Sequence, residues 1–92
     1  MTEKFDSVWD AIEDTPLQAE TMKVRSSLMI ALKKHIAAEG LTQVEAARLL
    51  GVTQPRISDL MRGKINLFAI DGLVDMVVRA GLRIEMSIGK AA

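Results

Sequence analysis

Apolar residues recur along this chain at helical spacing, until the last ten residues, where the spacing shortens to two. Phe5, Val8, Trp9 and Ile12 fall at i, i+3, i+4 and i+7. That places one apolar stripe on a short helix over 1–15 whose other faces are acidic. Asp14-Thr15-Pro16 interrupts it: Thr15 caps and Pro16 starts a second helix, which runs to about Glu39 and stops at Gly40. The core stripe of that helix is Leu28, Met29, Leu32 and Ile36, with Lys33 and Lys34 pointing elsewhere. Two short helices follow within 42–64, then a connector from Ile65 to Phe68. A helix from about Ile70 to Ala80 buries Leu73, Val74 and Val77 and ends at Gly81. Gly72 near its start weakens it by roughly 1 kcal/mol relative to Ala, a cost that close packing at this point would offset.

The tail changes period. Leu82-Arg83-Ile84-Glu85-Met86-Ser87-Ile88 alternates apolar and polar, as a half-buried strand does. No second strand is visible in the chain, and a lone strand leaves a row of backbone donors and acceptors unpaired. Pairing with the same strand of a second copy about a two-fold axis is the simplest remedy. It makes Leu82, Ile84, Met86 and Ile88 dimerisation residues. The alternative is a frayed tail that pairs with nothing. The fold expected is all-α, a helical bundle in one domain over 1–92, plus one short C-terminal β-strand that pairs across a dimer.

The stretch 42–64 carries the most information. Thr42 and Glu45 have the spacing of a capping box. Ala46, Ala47, Leu49 and Leu50 supply the buried face of the first short helix. Thr53 is a natural N-cap for the second, with Gln54 and Pro55 in its first turn, where proline's missing N–H has no partner to lose. Gly51 lies between the two, in a turn that requires φ > 0. Ala47 is small where the second helix crosses. Ile57 and Leu60, three apart, turn one apolar face inward. Gly63 closes the second helix between Arg62 and Lys64, whose charges suit its negative end. These are the spacings of a DNA-reading helix-turn-helix.

The run Gln43-x3-Ala47-x3-Gly51-Val52-Thr53-Gln54-x2-Ile57-Ser58-x-Leu60-x2-Gly63-Lys64 resembles the Xre, or lambda-repressor-like, helix-turn-helix family. Phe5 to Asp14 and Leu67-Phe68-Ala69-Ile70-Asp71 resemble its small HigA-type antitoxin branch, often encoded beside HigB-type toxins. The resemblance implies a lambda-repressor-like bundle. It also implies a homodimeric repressor of a palindromic operator on double-stranded DNA, acting as antitoxin and autorepressor, with a HigB-type toxin as possible partner. A stand-alone regulator without a toxin, and an interaction module that no longer binds DNA, are the rival readings.

Net charge supports DNA binding only when it is resolved along the chain. The whole sequence is neutral, with twelve bases and twelve acids. Residues 1–22 hold six acids and one base, a net of −5, and residues 23–64 hold eight bases and three acids, a net of +5. The positive block coincides with the motif and the helix before it, and phosphates respond to local potential. The acidic N-terminal helix would dock a basic toxin or, alternatively, pack on the long helix of its own chain.

Other chemistry lacks its residues. There is no cysteine, so no disulfide or thiolate metal site. His35 is the single histidine, with no ligand cluster around it and Ser26 and Ser27 more than two turns away, so neither a metal nor a triad is expected. No glycine-rich loop precedes a helix, so no nucleotide cofactor is expected. Six methionines fit core filling or an adaptable surface. No apolar run approaches the roughly 20 residues of a membrane span. The start of the sequence does not resemble a signal peptide, so the expectation is a cytoplasmic protein that is not an enzyme.

In a helix-turn-helix the N-terminal residues of the second helix lie nearest the base edges. Here these are Thr53, Gln54, Pro55 and Arg56, with Ser58, Asp59 and Arg62 further along. By resemblance, Gln54, Pro55 and Asp59 match base-reading positions and the Gln43 amide clamps a phosphate. Gln54 can bond adenine N6 and N7. Arg56 can take guanine or a phosphate. Asp59 can accept from cytosine or pair with Arg62 or Arg56. Pro55, where a Gln is often found, offers only shape or contact with a thymine methyl. Thr53 and Lys64 are expected on the DNA backbone, where contacts set register; the alternative for Lys64 is a solvated charge.

Overall fold

The computed structural model describes residues 15–91. The helix expected over 1–15, with Phe5, Val8, Trp9 and Ile12, lies outside the described residues. Four α-helices follow in order: α1 (Pro16–Ala38), α2 (Gln43–Leu50), α3 (Gln54–Met61) and α4 (Ile70–Arg79), with one turn of 3-10 helix (Ile65–Leu67) between α3 and α4.

Each start is built by local chemistry. The Thr15 hydroxyl accepts from the Gln18 N–H at 3.0 Å, and the Gln18 side chain accepts from the Thr15 N–H at 3.4 Å. The Thr42 hydroxyl accepts from the Glu45 N–H at 3.1 Å, and the Glu45 carboxylate accepts from the Thr42 N–H at 2.8 Å. The Thr53 hydroxyl accepts from the Arg56 N–H at 3.3 Å. Only α4 starts without a side-chain cap, at Ala69.

The ends share one device. Gly40, Gly51, Gly63 and Gly81 follow the four helices with φ of 63°, 69°, 72° and 82°. After each, the next N–H reaches back into the last turn: Leu41 to the Ile36 carbonyl, Val52 to Ala47, Lys64 to Asp59, Leu82 to Val77. This is the Schellman termination, which satisfies carbonyls that the helix itself leaves free. Three of the four pairs are apolar and bring Leu41, Val52 and Leu82 against the core. The pair that ends α3 is charged.

α1 packs on α4 and touches α3, and α2 packs on both α3 and α4. The core between them joins Leu28, Met29, Leu32 and Ile36 of α1 to Ala46, Ala47 and Leu50 of α2, Ile57 and Leu60 of α3, and Leu73, Met76 and Val77 of α4. Ala47 is 8% exposed, small as a close helix crossing requires. Three expectations change here. Leu49 is 41% exposed, because about 100° of helical rotation separates it from Leu50. Phe68, placed in a connector, is 2% exposed and is a core residue. Among the described residues, Gly72 meets no atom within 4 Å of the place a Cβ would occupy, so close packing between them does not explain it.

The expected C-terminal strand is not present: among the described residues there is no strand. Past the Leu82 N–H, no backbone hydrogen bond ties residues 83–91 to any other described segment. The physical reason is the absence within one chain of a second row of donors and acceptors. Leu82 is half-buried, Ile84 is 38% exposed, and exposure rises to 68% at Met86 and 88% at Ile88. The tail borders a groove of about 340 Å³ against α1, lined by Val24, Leu28 and Ala31 on one side and Ile84 and Met86 on the other. None of the described helices is long and apolar enough to cross a membrane.

Candidate nucleic-acid interface

The outer face of α3 follows from its period. Ile57 and Leu60 are fully buried, which turns Gln54, Pro55, Ser58, Asp59 and Arg62 to the opposite side. Gln54, Pro55 and Arg62 are exposed, while Ser58 and Asp59 are half-buried. Thr53 precedes them, exposed, with its hydroxyl engaged as the cap of α3. Gln43 is the exposed first residue of α2, and Lys64 lies exposed just past the end of α3.

The starts of α2 and α3 are positive helix ends, partly satisfied by their caps. The first N–H groups of each helix carry partial positive charge, a setting that suits an anion such as phosphate. Gln43 and Gln54 are the first residues of these two helices.

Asp59 pairs with Lys64 at 3.8 Å, not with Arg62 or Arg56, the partners weighed as the alternative to a base contact. The reason is the turn at Gly63, which folds Lys64 back over the last turn of α3. The carboxylate that would repel phosphates is thus partly neutralised by a lysine beside it.

Arg56 differs most from expectation. Its Nη1 donates to the Leu67 carbonyl at 2.7 Å, and its guanidinium lies over the Phe68 ring, 4.0 Å from the centroid. A cation over an aromatic face gains roughly 0.5–2 kcal/mol, more as water is excluded. Arg56 is half-buried and does not project with Gln54 and Ser58.

Sequence reasoning missed Arg25. From α1 its Nη1 donates to the carbonyls of Ile65 and Phe68, each at 3.4 Å. Its Nε is buried with no hydrogen-bond partner among the described residues. The signal was present: Arg25 stands four residues before Met29 and continues the buried stripe of α1, so a cation was written into a core register. His35, in the last turn of α1, is half-buried and apart from the motif face.

The comparisons with known proteins agree with this geometry. A family model described as a helix-turn-helix domain matches residues 11–89. A solved structure whose description names the XRE family of transcriptional regulators is similar at 30% sequence identity and a TM-score of 0.71. The match covers 79% of this chain and 82% of that one. No curated protein matches.

Proposed function

The chain belongs to the XRE-type helix-turn-helix family, and on that premise we propose that it is a transcriptional regulator that binds double-stranded DNA and represses from a specific operator. One observation carries the reading: Gln54, Pro55, Ser58, Asp59 and Arg62 share the outward face of a helix whose other face, Ile57 and Leu60, is sealed in the core. α3 enters the major groove with Gln54 leading. Gln43, Thr53 and Lys64 meet the phosphates on either side and set the register. The +5 block over residues 23–64 supplies the attraction. A gel shift on the DNA upstream of the chain's own gene tests it. A retarded band that survives excess unrelated DNA supports the reading, and its absence opposes it.

The repressor acts as a homodimer in this proposal. The support is the tail, whose alternating residues leave their backbone groups without a ladder while Ile84, Met86 and Ile88 remain exposed. Antiparallel pairing of this tail with the tail of a second copy would satisfy both features.

The finer biological role proposed is antitoxin and autorepressor. Its support is the resemblance of residues 5–14 and 67–71 to the HigA-type branch, together with the acidic balance of residues 1–22, which suits a basic partner. Co-purification of the chain with the product of an adjacent small basic gene tests this role.

A further inference from the structure

We infer that Arg56 does not read DNA but is a positioning residue, one half of a clamp with Arg25 that fixes the recognition helix against α1 through the turn 65–68. The inference rests on the DNA-binding reading for its consequence and on the geometry for its substance.

Two arginines from different helices grip one turn. Arg25 takes the carbonyls of Ile65 and Phe68, and Arg56 takes the carbonyl of Leu67. The Phe68 ring in this turn is buried and covered by the Arg56 guanidinium. The turn follows directly on Lys64, so Arg56 ties the first turn of α3 to the chain leaving its far end. Arg25 ties that same chain to α1. The clamp therefore adds polar contacts to those that Ile57 and Leu60 make in the core, and together they set the direction of α3.

Arg56 has the wrong azimuth for reading. Residues four apart share a helix face, and Arg56 shares that of Leu60, which is fully buried. A bidentate contact to guanine needs two free N–H groups directed outward. To offer them, Arg56 would have to leave both the Leu67 carbonyl and the Phe68 ring.

The test has two arms. Arg56→Met keeps the stem over the ring and removes the hydrogen bond and the charge; Arg25→Met keeps an apolar stem and removes the hydrogen bonds to the Ile65 and Phe68 carbonyls. In the free protein, each variant should shift the amide NMR signals of Gln54, residues 56–61 and Lys64, and the double variant should add little to either. Signals of α3 left unmoved by Arg25→Met, or effects that simply add, would overturn the clamp without any DNA present.

On DNA, the folded Arg56→Met protein, held well below its melting temperature, should bind every single-base variant of its site about tenfold more weakly, with unchanged base preference. Its slope of log K against log salt should also be unchanged. Relaxed preference at one base pair would make Arg56 a reader. A slope shallower by about 0.9 would make it a phosphate contact. Unchanged affinity would reduce it to packing alone. Wild-type protein that does not prefer its own upstream DNA would remove the DNA reading, and the free-protein arm would still decide the clamp.

Discussion

Lys64 and Asp59 are joined twice at the end of α3: the Lys64 N–H donates to the Asp59 carbonyl at 3.1 Å, and the side chains pair at 3.8 Å. At the other three helix ends the corresponding pairs are Leu41 with Ile36, Val52 with Ala47, and Leu82 with Val77. Those close against the core, whereas this one faces solvent on the proposed DNA side. A charged pair at this end holds a lysine on the proposed DNA side without giving up the helix termination.

The pair is half-open to water, so it contributes at most about 1 kcal/mol. Asp59→Asn should therefore change the melting temperature little and should strengthen binding to DNA of any sequence, because a negative charge leaves the interface. Lys64→Ala should weaken all sequences alike and make the salt slope shallower by about 0.9. Fluorescence-anisotropy titrations at several salt concentrations measure both. Weakening confined to one sequence would place Lys64 on a base.

Two glycines should respond in opposite directions. Gly51 has φ 69°, and an added Cβ would lie 2.9 Å from Nη1 of Arg79, which is itself held by Asp75 at 2.9 Å. Gly51→Ala should cost about 1–2 kcal/mol for the left-handed backbone alone. Replacing Arg79 as well should recover only the steric part. Gly72 is helical, and a Cβ there would meet nothing among the described residues. Gly72→Ala should stabilise by about 0.4–1 kcal/mol, chiefly by reducing the freedom of the unfolded chain. Chemical denaturation of the three proteins tests the contrast, and a destabilised Gly72→Ala would show an unseen neighbour at that site.

The fold was largely legible because its signals are local. Thr15, Thr42 and Thr53 cap the helices they were expected to cap, and the stripe Leu28, Met29, Leu32, Ile36 is buried as its spacing requires. What was not legible depends on long-range contacts. Nothing near Phe68 in sequence says that two arginines, 43 and 12 residues before it, converge on its turn. Arg56 reads as a groove residue from its place in the first turn of α3. It lies four residues before buried Leu60, and the partners it finds there, the Leu67 carbonyl and the Phe68 ring, are the part that the sequence does not show. The tail is the converse case: the alternation is real, but period two states a preference for pairing and not the presence of a partner.

Deleting residues 84–92 tests the proposed dimer. Leu82 packs on the core and its N–H bonds the Val77 carbonyl, so this truncation leaves the bundle intact. Sedimentation equilibrium should show a dimer for the whole chain and a folded monomer for the truncated one. The monomer should bind half-sites much more weakly, because the second recognition helix no longer acts at high effective concentration. Half-sites should lie about one DNA turn, roughly 34 Å, apart. A truncated protein that remains a dimer would move the two-fold interface to another surface.

The central claim is that the outward face of α3 reads sequence. The most direct measurement is the ratio of affinities for the upstream DNA of its own gene and for a scrambled duplex of equal length, taken at 0.15 M salt. A ratio of about a thousand or more is expected of a specific regulator, with Gln54→Ala lowering it through the specific site alone. Equal affinities for the two duplexes, or a ratio that Gln54→Ala leaves unchanged, would contradict the account.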